Sequence, residues 1–83
     1  MIKVKVRYLG AVRELVGVSK EEIFLDDSVT LNQLLEYLLK IHLNLNTIGM
    51  NFTIAVNGRI VTDLKLPLKD LDEIILYHIV AGG

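Results

Sequence analysis

A chain of 83 residues with no cysteine and a formal net charge of −1 has room for one small domain. It excludes disulfides, thiolate metal sites, a cysteine nucleophile and a basic field for nucleic acid. Hydrophobic residues make up 52% and mean hydropathy is +0.46, high for a body with so much surface, so part of that apolar surface is expected to belong to a partner.

The start, Met1-Ile2-Lys3-Val4-Lys5, alternates charge instead of building a signal-peptide core. No apolar run approaches the roughly 18 residues of a membrane span, so a cytoplasmic protein without membrane contact is expected. Ile2, Val4, Val6 and Tyr8 alternate with Lys3, Lys5 and Arg7, the period of a strand with one face on a core and one in water. Leu9-Gly10 breaks the alternation, and residues 11–16 read as a short helix with Val12, Leu15 and Val16 on one side, stopped by Gly17. A second strand is expected over 21–25, closed by Asp26-Asp27-Ser28. Thr30 followed by Gln33 forms a capping box, and Leu31, Leu34, Leu35, Leu38 and His42 then recur at helical spacing. The polar run 44–51 is expected to be a loop.

A third strand over 52–56 meets Asn57-Gly58, which supplies the positive φ angles of a tight hairpin, and returns over 59–61. Asp70, Asp72 and Glu73 precede the last strand and read as turn formers, like Asp26 and Asp27, more readily than as paired catalytic carboxylates. The last strand, expected over 74–80, is apolar on both faces, so it is either central or covered by another protein. Together these elements predict an α+β roll with a mixed sheet of about five strands. One long helix covers one face, a short helix follows strand 1, and the first and last strands lie side by side in the middle. Residues 1–83 are expected to form a single domain from which the tail 81–83 projects. The last two residues, Gly82 and Gly83, have nothing to pack; they offer a slim strand ending in a bare carboxylate that can thread a narrow channel.

The block Val12-Arg13-Glu14-Leu15-Val16-Gly17, the hairpin Val56-Asn57-Gly58, the run Asp70-Leu71-Asp72-Glu73-Ile74 and terminal Gly82-Gly83 together resemble the MoaD family. These are the small subunits of molybdopterin synthase, sulfur carriers within the ubiquitin-like MoaD/ThiS β-grasp group. The likeness spans nearly the whole chain and departs at Leu71, where the family usually has Gly, and at His78-Ile79, where it often has a proline pair.

The resemblance implies that a ubiquitin-activating-type adenylyltransferase spends ATP to adenylate Gly83, and that a persulfide donor converts it to a thiocarboxylate. Sulfur then passes to a cyclic pterin inside a MoaE-like large subunit, in a heterotetramer that builds a molybdenum or tungsten cofactor. On that view Gly83 is the reactive group, Ala81 and Gly82 are the tail, and the chain is not catalytic alone and binds no cofactor or metal itself. The absence of a GxxxxGK loop and of a ligand cluster agrees, and His42 and His78 read as structural. Leu9, Arg13, Ile60, Tyr77, Ile79 and Val80 are the candidates for the partner face. A ubiquitin-like modifier conjugated through Gly83, and a ThiS-like carrier for thiazole synthesis, share the activation step and stand as alternatives.

Overall fold

A computed structural model describes residues 1–48 and 52–78. In chain order it contains β1 (Ile2–Tyr8), α1 (Gly10–Val16), β2 (Lys20–Leu25), α2 (Leu31–Ile41), a 3-10 helix (Leu43–Ile48), β3 (Thr53–Val56), β4 (Arg59–Ile60) and β5 (Glu73–Tyr77). The strands form one mixed sheet in the order β2-β1-β5-β3-β4. β1 and β5 are parallel neighbours, and the other three pairings are antiparallel. The doubly apolar strand is thus the middle one of five, beside β1, as its composition requires.

The alternation in β1 separates two faces. Ile2, Val4, Val6 and Tyr8 are buried with Ile23, Ile54, Val56, Ile74 and Leu76 from the other strands, against Leu31, Leu34, Leu35 and Leu38 of α2. α2 starts where both halves of the capping box close: the Thr30 N–H donates to Gln33 Oε1 at 2.9 Å and the Gln33 N–H to Thr30 Oγ1 at 3.3 Å. Such a box satisfies two of the donors that a helix start leaves free. α1 ends as expected at Gly17, whose φ of 92° is open to glycine and whose N–H bonds the Arg13 carbonyl at 2.8 Å. Asn57 and Gly58, at φ 51° and 85°, make the hairpin turn.

The run expected as a loop contains a 3-10 helix, Leu43–Ile48. Its asparagines satisfy local carbonyls, since Asn46 Nδ2 donates to Leu43 O at 3.0 Å and to Leu39 O at 3.3 Å, while Leu45 is fully buried. One buried leucine among polar residues leaves too weak a period to read, and tertiary burial decides the conformation. The last strand is ordered as β over Glu73–Tyr77; Ile79 and Val80, expected to extend it, lie outside the described residues.

The carboxylates before β5 are occupied in turn geometry. Asp70 Oδ1 accepts from the Lys3 N–H at 2.8 Å, Asp72 Oδ2 from the Lys69 N–H at 2.8 Å, and Asp72 Oδ1 from Asn57 Nδ2 at 2.8 Å. Between them Leu71 adopts φ 68° with 64% of its surface exposed. A leucine there holds a left-handed backbone at a cost of about 1–2 kcal/mol and gives little burial in return. Leu71→Gly is therefore expected to stabilise the fold by about 0.5–1 kcal/mol, after the loss of unfolded-chain restriction is deducted; urea denaturation measures the change.

Under α2, Tyr8 donates its hydroxyl to Glu21 Oε2, which also accepts from His42 Nε2. The Tyr8 and His42 rings meet edge to face at 5.8 Å and 77°. Burial, then the bond to the Glu21 carboxylate, pushes the Tyr8 hydroxyl well above its ordinary value near 10. The folded state therefore favours the neutral phenol. That contribution is complete below about pH 10 and is lost as pH rises from there toward the folded value, at about 1.4 kcal/mol per pH unit. Urea midpoints between pH 9 and 11.5 should fall more steeply for the natural protein than for Tyr8→Phe.

Candidate functional site

The side of the sheet away from α2 is open, and register assigns its residues. Arg7 faces Lys20 on one side and Ile75 on the other, Ile75 faces Ala55, and Ala55 faces Ile60. Paired residues point to one face of a sheet, so Lys20, Arg7, Ile75, Ala55 and Ile60 form one row from edge to edge. Tyr77 and Thr53 pair in the next row toward the end of β5. Ala55 is only 9% exposed yet stands apart from the core cluster, because Ile75 and Ile60 flank it on the open side. Ile60 itself is 68% exposed.

This face is mostly apolar over β5, β3 and β4 and mostly charged over β1 and β2, with Glu73 at the start of β5 and exposed Phe24 opposite Lys3 as the exceptions. Lys3 Nζ pairs with Glu22 at 2.9 Å and Arg7 Nη1 with Glu73 at 3.7 Å. The bond to Glu22 raises the Lys3 ammonium above its usual value and correspondingly lowers the Glu22 carboxyl. Both groups are solvated, so the pair adds little stability. A shallow concavity of about 560 Å³ is lined by Lys5, Arg7, Lys20, Glu21, Glu22 and Glu73, three basic and three acidic side chains.

The candidate partner residues distribute unevenly. Ile60 and Tyr77 share the open face. Leu9, 42% exposed, caps α1 and donates its N–H to the Leu76 carbonyl at 3.1 Å, which places it beside the end of β5. Arg13 is exposed on α1, whose buried Val12 belongs to the core on the helix side, so it is not grouped with Ile60. Ile79, Val80, Ala81, Gly82 and Gly83 lie outside the described residues. Ile75 and Ala55 join Ile60 only through register. Pairing across three strands cannot be read from spacing. Glu21, which ties Tyr8 to His42, was equally hidden, because the three residues meet from β1, β2 and the end of α2.

Among the described residues no group of histidines and carboxylates is placed to hold a metal ion, and no helix is long and apolar enough to cross a membrane. The carboxylates nearest β5 are engaged in backbone bonds.

A search of curated protein sequences finds no match. Among solved structures, the chain is similar to a protein from Pyrococcus furiosus assigned as molybdopterin converting factor subunit 1, with 33% identity and a TM-score of 0.86 over 96% of this chain and 100% of that one. It is similar to a chain in the complex of subunits 1 and 2 of the molybdopterin-converting factor from Helicobacter pylori, at 28% identity and TM-score 0.72, covering 99% of this chain and 100% of that one. SAMP1 from Haloferax volcanii shares the fold at 19% identity and TM-score 0.85, covering 98% and 99%. The model of the ThiS family matches residues 6–83. With a five-stranded mixed sheet, a helix across one face and a match that runs to the terminal glycine, this chain belongs to the ThiS family and has the ubiquitin-like β-grasp fold of its sulfur carriers.

Proposed function

We propose that this chain is the sulfur-carrying small subunit of a molybdopterin synthase, with the Gly83 carboxylate as its reactive group. The observation that supports the reading most is the 33% identity with the Pyrococcus furiosus subunit 1 along almost the full length of both chains. The fold agrees with it: the strand that leads to the tail is the central one, so the terminal carboxylate is carried on the most firmly held element of the body.

The chemistry follows from the carboxylate. A free carboxylate is a poor electrophile, so one of its oxygens attacks the α-phosphorus of ATP on a separate adenylating enzyme, and pyrophosphate leaves. The terminal sulfur of a persulfide then attacks the acyl carbon and AMP leaves with its electron pair. A second thiol cleaves the remaining S–S bond, leaving a thiocarboxylate on Gly83 and a disulfide on the donor. The chain has no cysteine, so its own side chains cannot hold the sulfur. A large subunit, of the kind that accompanies subunit 1 in the Helicobacter pylori complex, then receives the tail and the pterin substrate.

Incubated with its adenylating enzyme, ATP and a persulfide donor, the chain should gain the mass of one oxygen-to-sulfur exchange on its last residue, read by intact-mass and fragment spectra. No mass change, or a change elsewhere, overturns the proposal. The modifier alternative differs only in the second nucleophile, a lysine amine. The likeness to SAMP1 is one of fold and does not favour it, and isopeptide adducts through Gly83 in a lysate would reverse that preference.

A further inference from the structure

We propose that Asn57 is a deamidation site that the fold holds shut. The Asp72 carboxylate and the Glu73 N–H draw its side-chain amide away from the Gly58 nitrogen, and the reaction runs only when the β3–β4 hairpin opens.

Of the five asparagines, Asn57 alone precedes a glycine. With no side chain on Gly58, its backbone nitrogen can approach closely. Deprotonated by base, that nitrogen attacks the Asn57 side-chain carbonyl carbon; the bond to Nδ2 breaks, and Nδ2 leaves as ammonia after taking a proton from water. Water then adds to either carbonyl of the five-membered succinimide and breaks one ring C–N bond. The product is aspartate or isoaspartate at position 57, and nothing is oxidised or reduced.

Asn57 and Gly58 are both exposed, so water and base reach the turn. What is held is the amide. Asn57 Nδ2 donates to Asp72 Oδ1 at 2.8 Å and Asn57 Oδ1 accepts from the Glu73 N–H at 2.9 Å, while the Asn57 N–H donates to the Glu73 carbonyl at 2.8 Å. Asp72 is fixed in turn, since its other oxygen accepts from the Lys69 N–H. All three bonds of Asn57 reach toward the start of β5. β5 and β4 flank β3 on opposite sides, so the amide is drawn to one side and the Gly58 nitrogen leads to the other. The reacting atoms meet only after the bonds to Asp72 and Glu73 break. That opening is local, because β4 consists of Arg59 and Ile60, both exposed, and the hairpin end frays with little loss of buried surface. Once converted, position 57 has no donor for Asp72 and sets a second carboxylate beside it. Isoaspartate also adds a carbon to the backbone of the two-residue turn, which strains the pairs Val56–Arg59 and Ala55–Ile60 and shifts Ile60 out of its row.

The test follows ammonia release and the fragment masses at position 57 of the full chain in mildly alkaline buffer. In urea, Asn57 should convert faster than the four other asparagines. The folded chain should convert at least about tenfold more slowly than the same chain in urea, and Asp72→Ala should speed the folded chain about tenfold, the equilibrium weight of a hydrogen bond to a charged group. Ile23→Val, a buried change on the far edge strand, lowers Tm without touching the hairpin. Its conversion rate should stay within about twofold of the natural chain's, which a gate set by general stability would not give. Equal rates in the folded and unfolded chains, no acceleration by Asp72→Ala, an equal acceleration by Ile23→Val, or faster conversion at another asparagine each overturns the proposal.

Discussion

A chain lacking Gly83 should accept no sulfur, yet should unfold at the same urea concentration as the intact protein. The two halves of that result have separate causes. Among the described residues every member of the core cluster lies between Ile2 and Leu76, and a glycine has no side chain to bury, so removing the last residue is expected to leave the packing that sets stability intact. The carboxylate, by contrast, moves back by the length of one residue, roughly 3.3–3.6 Å. A misplacement of about 1 Å can cost a reaction about a hundredfold, and a shift several times larger removes the acyl carbon from reach of both ATP and persulfide. Intact-mass measurement of the truncated chain, under conditions that convert the full one, checks the first half. A urea titration checks the second. A truncated chain that still gains sulfur would place the chemistry elsewhere.

Replacement of Leu76 by alanine should lower stability by about 2–5 kcal/mol. Leu76 is fully buried, stands in the central strand, and is paired with Tyr8 on one side and Ile54 on the other. The loss combines the transfer free energy of the removed carbons with the cavity they leave, because a site walled by two strands and a helix collapses poorly. A domain of this size holds only roughly 4–12 kcal/mol in all, so the variant sits near its unfolding threshold at 37 °C. Urea midpoints and thermal melts report the shift. Ile60→Ala, at a position 68% exposed, should change stability by under about 0.5 kcal/mol. The pair of variants separates residues that hold the sheet from residues that the sheet displays.

What could be read from the sequence divides along a physical line. Local signals were dependable: the alternation in β1, the Thr30–Gln33 box, Gly17 and Asn57-Gly58 each act through neighbours a few residues away, and the structure shows all four. The central place of β5 was also legible, because a strand greasy on both sides has few places to go. The row Lys20, Arg7, Ile75, Ala55, Ile60 was not, since it depends on a register spanning four strand pairings. The Tyr8–Glu21–His42 contact was hidden for the same reason. The 3-10 helix was missed because a single buried leucine among asparagines makes no periodic pattern. For the site, Gly83 stood out because folding had no use for it, and Ile60 and Tyr77 because alternation left them outside. Arg13, read in the sequence as a charge on the short helix that a partner's acidic group could meet, is exposed on α1 and does not belong to that row.

The parallel pairing of β1 with β5 has a mechanical side. Lys5 and Glu73, Val6 and Ile74, Arg7 and Ile75, and Tyr8 and Leu76 lie side by side, so the strand nearest the start of the chain and the strand leading to its end run in the same direction. Tension applied between the two ends slides one strand along the other. All the bonds of that ladder are then strained at once, not opened in succession like a zipper. A pull on the end of β5 against the start of β1 is therefore borne by the whole ladder together.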